Sequence, residues 1–218
     1  MLDYPGKAAC IFWFSGCNLR CRYCYNTSLA SGKGDIRYTR ETAQGFLEER
    51  AGFLDGVVFS GGECTLSSDL SYFAGVAKNL GYSVKVDTNG TSPEVVKRLI
   101  REGLVDYIAL DYKAPQDLFG KMTRRVGLYE YFSQTLDYLI EIGFPFEVRT
   151  TIHPDLLAEG DVSRMNADLA ARGYAHTHYI QPYFHTEDNL GRLSKPSRGF
   201  QSALLEWNVP YEFRNGEA

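Results

Sequence analysis

Residues 56–87 read GVVFSGGECTLSSDLSYFAGVAKNLGYSVKVD. A short apolar run, Gly56–Phe59, leads through Ser60-Gly61-Gly62-Glu63 into a stretch of helical period over Ser68–Leu80. Gly81 follows, and a second β-rich run begins at Ser83 and ends at Asp87. Two strands joined by a helix are parallel neighbours with a right-handed crossover. In parallel α/β folds ligand sites assemble at the carboxyl ends of the strands, which is where Ser60–Glu63 falls.

The same alternation continues in both directions. Strands are expected near Ala8–Phe14, Tyr107–Leu110, Phe146–Ile152 and His178–Gln181, and helices over Arg40–Glu49, Pro93–Glu102, Tyr129–Ile142 and Asp161–Ala171. Pro93 suits the first position of a helix after Ser92, and Gly81, Gly103, Gly143 and Gly173 fall just past helix ends. An eight-unit barrel takes about 250 residues, so the six strand–helix units expected here imply a partial, open (β/α)6 barrel of parallel strands. A doubly wound sheet is the α/β rival, and periodicity alone does not separate the two. No linker or low-complexity stretch divides residues 1–218, so a single domain is expected.

A hydrophobic fraction of 44% and an aromatic fraction of 14% belong to a folded globular chain. With 23 Lys and Arg against 27 Asp and Glu, the net charge is −4, which does not point to a nucleic-acid surface. Ala8–Phe14 is the longest apolar run, too short to span a bilayer, and Met1–Gly6 does not read as a secretory leader. No membrane association and a cytoplasmic location are expected.

Cys17, Cys21 and Cys24 lie in Gly16-Cys17-Asn18-Leu19-Arg20-Cys21-Arg22-Tyr23-Cys24, a C-x3-C-x2-C spacing directly after the first strand. Three clustered thiolates ask for metal. Structural zinc takes four ligands, whereas an iron–sulfur cubane can be held by three with one iron left open. The count favours the cluster; zinc completed by a distant His or by Cys64 is the rival. A disulfide within so short a loop is awkward in geometry and disfavoured in a reducing compartment. Cys10 reads as a small buried hydrophobe; Cys64, directly after Gly61-Gly62-Glu63, reads either as a buried, inert thiol or as an extra thiol at the site those residues form. Other chemistry-bearing segments also follow strands: Asp87-Thr88-Asn89-Gly90, Asp111-Tyr112-Lys113 and Gln181-Pro182-Tyr183. Each has a plain structural reading as a turn or a charged strand end. A lone His such as His153, His176 or His178 is more often structural than a ligand.

The cysteine loop, with Tyr23 before its last cysteine, resembles the signature of the radical S-adenosylmethionine (radical SAM) enzymes. The resemblance implies a 4Fe-4S cluster on Cys17, Cys21 and Cys24, with S-adenosylmethionine chelating the open iron and Tyr23 near its adenine. Gly61-Gly62-Glu63 resembles the family's Gly-Gly-Glu segment at the methionine amino group, although Cys64 follows where many relatives have Pro. The strand-end acids resemble those of the glycyl-radical-enzyme activating branch. There they imply a monovalent cation held by Asp87, Thr88, the Ala109 carbonyl and Asp111. The same branch places Lys113 within reach of cofactor or substrate, as a catalytic candidate, and Arg149 near the cofactor carboxylate. His185, in Gln181-Pro182-Tyr183-Phe184-His185, is a second catalytic candidate displaced by one residue from the family pattern. Asp3-Tyr4-Pro5-Gly6-Lys7 resembles the start of activating proteins for anaerobic ribonucleoside-triphosphate reductase.

The function implied is installation of a glycyl radical on a partner enzyme, anaerobic ribonucleotide reductase first among them, with a flavodoxin- or ferredoxin-type electron donor. That work needs positioning and water exclusion more than acid–base groups, and no carboxylate dyad or Ser-His-Asp set stands out in the chain. A radical SAM enzyme acting on a small molecule or peptide is the first alternative. A zinc-binding interaction module is the alternative from another class.

Overall fold

In the computed structural model, which describes residues 3–33 and 38–215, the alternation around residue 56 is a parallel sheet. Strands β1 (Ala9–Phe14), β2 (Gly56–Gly61), β3 (Ser83–Thr88), β4 (Tyr107–Asp111), β5 (Phe146–Ile152), β6 (His178–Pro182) and β7 (Tyr211–Phe213) follow one another in sheet order. β1 and β7 are its edges, so the sheet is not closed. The first six strands match the expected ones to within two residues at either end. β7 is additional. It has three residues and pairs in parallel with β6, Ile180 opposite Phe213.

The chain forms two compact units. One holds the residues up to Asn18 with Ser28–Thr88 and Ser92–Ala109; the other holds Leu19–Thr27, Asn89–Thr91 and the chain from Leu110 onward. In the first unit β1, β2 and β3 run in register, with Phe12 opposite Phe59 and Val57 opposite Val84. From β1 the Phe12 ring meets Phe59 of β2 at 5.9 Å and Phe73 of α3 (Asp69–Asn79) at 5.7 Å, both edge-on. Two further helices, α2 (Arg40–Arg50) and α4 (Pro93–Arg101), also belong to this unit. Pro93 opens α4 as expected, but the Ser92 side chain makes no capping bond. Cys10 is half-buried rather than buried, because β1 is an edge strand.

In the second unit β5 pairs with β6, Thr150 opposite Ile180, and both faces of β5 are largely covered. α5 (Gln116–Thr123) and α6 (Tyr129–Glu141) pack through aromatic side chains, with the Phe119 and Tyr129 rings edge-on at 5.6 Å, and Tyr112 adds its ring 4.7 Å from Phe132. Behind β5 and β6, Ile152, Val162, Ile180 and Phe200 form an apolar cluster covered by Leu205, Trp207 and Phe213. His178 is fully buried there, with Nε2 2.8 Å from Thr150 Oγ1, and burial pushes its pKa down to about 3. It is a neutral structural residue at physiological pH.

The chain after β6 is tied to α7 (Glu159–Ala171) at its first residue. Glu159 accepts from Arg198 Nη1 at 2.6 Å, Arg198 Nη2 at 2.8 Å and the Gln201 N–H at 2.8 Å. The Arg198 bonds lead in drawing its carboxyl down from 4.5 to about 2. A carboxyl depressed on folding contributes stability that is complete above its unfolded pKa and is lost as pH falls through its folded one. Acidification from about 4.5 to about 2 is therefore expected to release this segment, read by Trp207 fluorescence in a Trp13→Phe background. Glu159→Gln should lose on the order of 2 kcal/mol at neutral pH and flatten that acid transition. An unchanged transition in Glu159→Gln would show that other carboxyls govern it.

Candidate functional site

The residues singled out from sequence fall in both units, and each unit assembles its own set. In the first, the Gly16 N–H donates to Leu29 O at 2.8 Å and the Cys17 N–H to Ala30 O at 3.1 Å, both in α1 (Thr27–Ala30). The end of β2 lies against the same backbone. The Gly62 N–H donates to Phe14 O and the Glu63 N–H to Gly16 O, each at 2.8 Å. Gly61 takes φ +121, and a Cβ there would fall 2.4 Å from Phe14 O; a Cβ on Gly62 would fall 2.1 Å from Gly16 O. No side chain fits at either position, so the glycine pair is what lets β2 close against the approach to Cys17.

Glu63 is 2% exposed, and its Oε1 accepts from Thr88 Oγ1 at 2.7 Å and Thr65 Oγ1 at 2.6 Å. Thr88 and Glu63 are thus brought together. Asp87 is engaged elsewhere: fully buried Lys85 sits 2.7 Å from its Oδ1, and Ser60 Oγ donates to Oδ2 at 3.2 Å. The same ammonium donates to Asp3 O at 2.6 Å. Cys64 is buried with Sγ 3.4 Å from Asp87 O and 3.5 Å from Phe59 O. Burial first, then the charges of Glu63 and Asp87, raise its pKa well above the ordinary thiol value, so it is an inert packing thiol.

In the second unit the loop through Cys21 and Cys24 is held by main-chain bonds on both sides. The Arg20 N–H donates to Thr123 O at 2.9 Å and the Arg22 N–H to Met122 O at 3.0 Å, at the end of α5. From the other side the Leu190 N–H donates to Cys24 O at 2.9 Å and the Gly191 N–H to Arg22 O at 2.7 Å. A Cβ on Gly191 would lie 2.3 Å from Arg22 O. Buried Asn189 shapes this segment, accepting from the Leu193 N–H at 2.6 Å and donating to Thr186 O at 2.9 Å. Sequence reasoning passed over residues 189–193. An Asn two residues before a Gly was the one local signal of a tight turn there.

Tyr23 is 6% exposed, and its hydroxyl has no hydrogen-bond partner among the described residues. Lys113 Nζ lies 5.8 Å from its ring centroid and 3.0 Å from Asp111 Oδ2; Arg149 Nε is 3.0 Å from Asp111 Oδ1. Burial works to raise the Asp111 carboxyl, but Arg149 and Lys113 outweigh it and hold the group ionised. Burial likewise opposes the Lys113 charge, and Asp111 outweighs that too. Tyr23, Asp111, Lys113 and Arg149 therefore form one connected set. His185 does not join it through any contact among the described residues. It is half-buried, its ring 6.1 Å from Tyr183, with Nδ1 shielded and unpartnered. His153 Nε2 is 3.2 Å from Ser194 O and His176 packs on Tyr174, both structural placements.

Cys17, Cys21 and Cys24 are all free thiols. Among the described residues no three His, Cys, Asp or Glu side chains stand together as a ready metal cage. The fit to an iron–sulfur cluster rests on the donors: three thiols within one short loop, with neighbouring glycine backbone that leaves no room for side chains. Of the acids named for a monovalent cation, Asp87 is paired with Lys85, and Asp111 with Lys113 and Arg149.

The radical SAM superfamily profile matches residues 11–160. A Methanocaldococcus jannaschii protein provisionally named a glycyl-radical enzyme activating enzyme is 33% identical over 172 residues, covering 74% of this chain and 68% of that protein. Fe-coproporphyrin III synthase of Methanosarcina barkeri is 30% identical over 68% of this chain and 40% of its own. The pyruvate formate-lyase-activating enzyme of Streptococcus mutans is 29% identical over 71% of this chain and 62% of its own. Among solved structures, Streptococcus suis SuiB bound to S-adenosylmethionine superposes with a TM-score of 0.74 at 12% identity. That superposition covers 99% of this chain but about half, 52%, of SuiB, and it speaks to the fold alone. No described helix is long and apolar enough to cross a membrane.

Proposed function

The chain belongs to the radical SAM superfamily, and from that premise we propose that it activates a glycyl radical enzyme. The cofactors of the superfamily are a 4Fe-4S cluster and S-adenosylmethionine, which together supply one-electron cleavage of the cofactor and, through it, removal of a hydrogen atom from the substrate. Cys17, Cys21 and Cys24 would hold the cluster. Gly61, Gly62 and Glu63 would bind the methionine end of the cofactor, with Thr88 fixing the Glu63 carboxylate through its 2.7 Å bond. Arg149 and Lys113, both set by Asp111, would serve its carboxylate, which a guanidinium fork suits. Tyr23 would serve the adenine. Its buried, unpartnered hydroxyl supports a ligand with a polar edge at that place.

The observation that carries the activase reading is the 33% identity to the M. jannaschii relative over 68% of that protein's length. The resemblance of Asp3–Lys7 to the start of activating proteins for anaerobic ribonucleoside-triphosphate reductase supports anaerobic ribonucleotide reductase as the partner. That segment also serves packing: Tyr4 is 5% exposed, and the Asp3 carbonyl takes the Lys85 ammonium. The 30% identity to Fe-coproporphyrin III synthase favours a second reading, in which the substrate is a small molecule.

The two readings separate in one experiment. The chain is incubated anaerobically with S-adenosylmethionine, a chemical reductant and purified glycyl radical enzymes in turn, and paramagnetic resonance is recorded. A doublet with glycine hyperfine splitting on the anaerobic reductase is expected. Sustained cofactor cleavage with no such signal from any candidate would overturn the activase reading in favour of the second.

A further inference from the structure

Between β6 and a short 3-10 turn at Ser202–Leu204, residues 183–201 form no helix or strand. A connection longer than about 12–15 residues with no secondary structure of its own is uncommon and usually functional. Apolar burial does not anchor this one: among residues 184–199 Asn189 alone is buried, at 4% exposure. Hydrogen bonds hold it instead, in two groups. The later residues are tied to the chain between β5 and the start of α7, with Ser194 O 3.2 Å from His153 Nε2, the Ser197 N–H donating to Asp155 at 2.8 Å and Arg198 paired with Glu159. The earlier ones are tied to the cysteine loop. Asp188 Oδ2 accepts from Thr27 Oγ1, the Leu190 N–H donates to Cys24 O and the Gly191 N–H to Arg22 O.

The Asn189 side chain organises that earlier group. Its Nδ2 donates to Thr186 O at 2.9 Å and Leu193 O at 3.0 Å, while Oδ1 accepts from the Leu193 N–H at 2.6 Å. The Asn189 carbonyl accepts from the Arg192 N–H at 3.0 Å, and Arg192 takes a left-handed φ of 53. One buried amide thus closes residues 186–193 into a turn, with Leu190 and Gly191 presenting their N–H groups to the cysteine loop. The approach is close, since a Cβ on Gly191 would fall 2.3 Å from Arg22 O. On the other side the Arg20 and Arg22 N–H groups donate to Thr123 O and Met122 O, so residues 20–24 are gripped between two stretches of backbone. Cys21 is 7% exposed within that grip.

We propose that Asn189 is a positioning residue for Cys21 and Cys24: it folds the turn that clamps their loop and so sets how firmly the centre on those thiols is held. The proposal rests on the radical SAM reading for the identity of that centre, and on the hydrogen bonds of the ligand-free chain for the clamp. Without the Asn189 amide, Thr186 O and both main-chain groups of Leu193 lose a buried partner, and the turn must open to water to satisfy them. The Leu190 and Gly191 bonds to the loop then loosen together. Groups that orient metal ligands from behind typically govern affinity by about 10- to 100-fold.

The test compares the parent with Asn189→Ala, Gly191→Ala, the double variant and Val162→Ala. The last removes volume from the apolar cluster behind β5 and β6, and so controls for lost stability within the same unit. After anaerobic cluster assembly, the rate at which a ferrous chelator strips the iron is measured well below melting. Asn189→Ala and Gly191→Ala should each release iron about 10- to 100-fold faster than the parent. The double variant should stay within about twofold of the faster single one, because both changes act through one turn. Val162→Ala should match the parent. In the metal-free chain, alkylation of Cys21 should be about tenfold faster in Asn189→Ala, with Cys64 labelled at the parent's rate. Parent-like iron release in Asn189→Ala would overturn the proposal, as would equal acceleration in Val162→Ala, which would make the effect one of general stability. A parent that assembles no cluster would remove the radical SAM reading instead. Cys21 labelling still decides the clamp in that case, and a rate unchanged by Asn189→Ala would overturn it.

Discussion

Cys21→Ala is expected to leave a folded protein that retains no iron–sulfur cluster and cleaves no cofactor. The loss should exceed about 100-fold, the upper range for changes one shell further from a metal. The reason is that the ligand set has no spare. A cubane that keeps one iron open for a substrate has three protein thiolates, and losing one leaves two. Cys64 does not substitute, because its thiol is enclosed between the carbonyl oxygens of Phe59 and Asp87. Cys10 sits on β1 and should be replaceable by Ala without loss. Iron and acid-labile sulfide analysis, with 5′-deoxyadenosine formation beside it, reads the result. A Cys21→Ala protein that still cleaved the cofactor would sink the ligand assignment.

Asp111→Ala should be the most damaging single change outside the cysteines. Its carboxylate stands 3.0 Å from both Lys113 Nζ and Arg149 Nε, with all three side chains at least three-quarters buried. Removing one member of a buried ionic set leaves like charges facing each other and costs about 3–5 kcal/mol. For a chain of this size that corresponds to a fall of roughly 6–20 °C in melting temperature. The double variant Asp111→Ala/Lys113→Met should regain part of the loss, because one of the two stranded cations is then gone. Calorimetric melting of the four proteins in that cycle measures the coupling. A single variant within about 1 kcal/mol of the parent would show that solvent reaches these charges.

Most of the fold was legible because its elements are long and locally consistent. Phe146–Ile152 is rich in β-branched residues, with Val148, Thr150, Thr151 and Ile152 among its seven, and Tyr129–Glu141 keeps a helical period across thirteen residues. The elements that escaped are short ones that tertiary contacts sustain. α5 has eight residues, carries Gly120 inside it and stops at a left-handed Arg124 rather than at a glycine, so neither propensity nor cap marks it. β7 has three residues and exists as a strand because β6 offers it an edge. In the candidate site, strand-end position singled out Gly61, Glu63, Asp87 and Asp111, whereas Arg149, in the middle of β5, was named by the family resemblance alone. Position did not reveal their partners. Lys85 lies mid-strand in Ser83–Thr88, and nothing in the run Val84-Lys85-Val86 tells that its ammonium is buried against Asp87 and the Asp3 carbonyl. The Asn189–Leu193 turn was hidden for the same reason, since its purpose is to meet Arg22 and Cys24 from far along the chain.

Cys64 also makes the protein its own stopwatch. An enclosed thiol with a raised pKa is closed to alkylating reagents while β2 and β3 stay paired, and labelling proceeds only during moments when they part. With a slow reagent the rate of mass gain reports how often that part of the sheet opens; with a fast one it reports the opening rate itself. The breathing of the first unit can thus be timed in native buffer, without denaturant or an introduced dye.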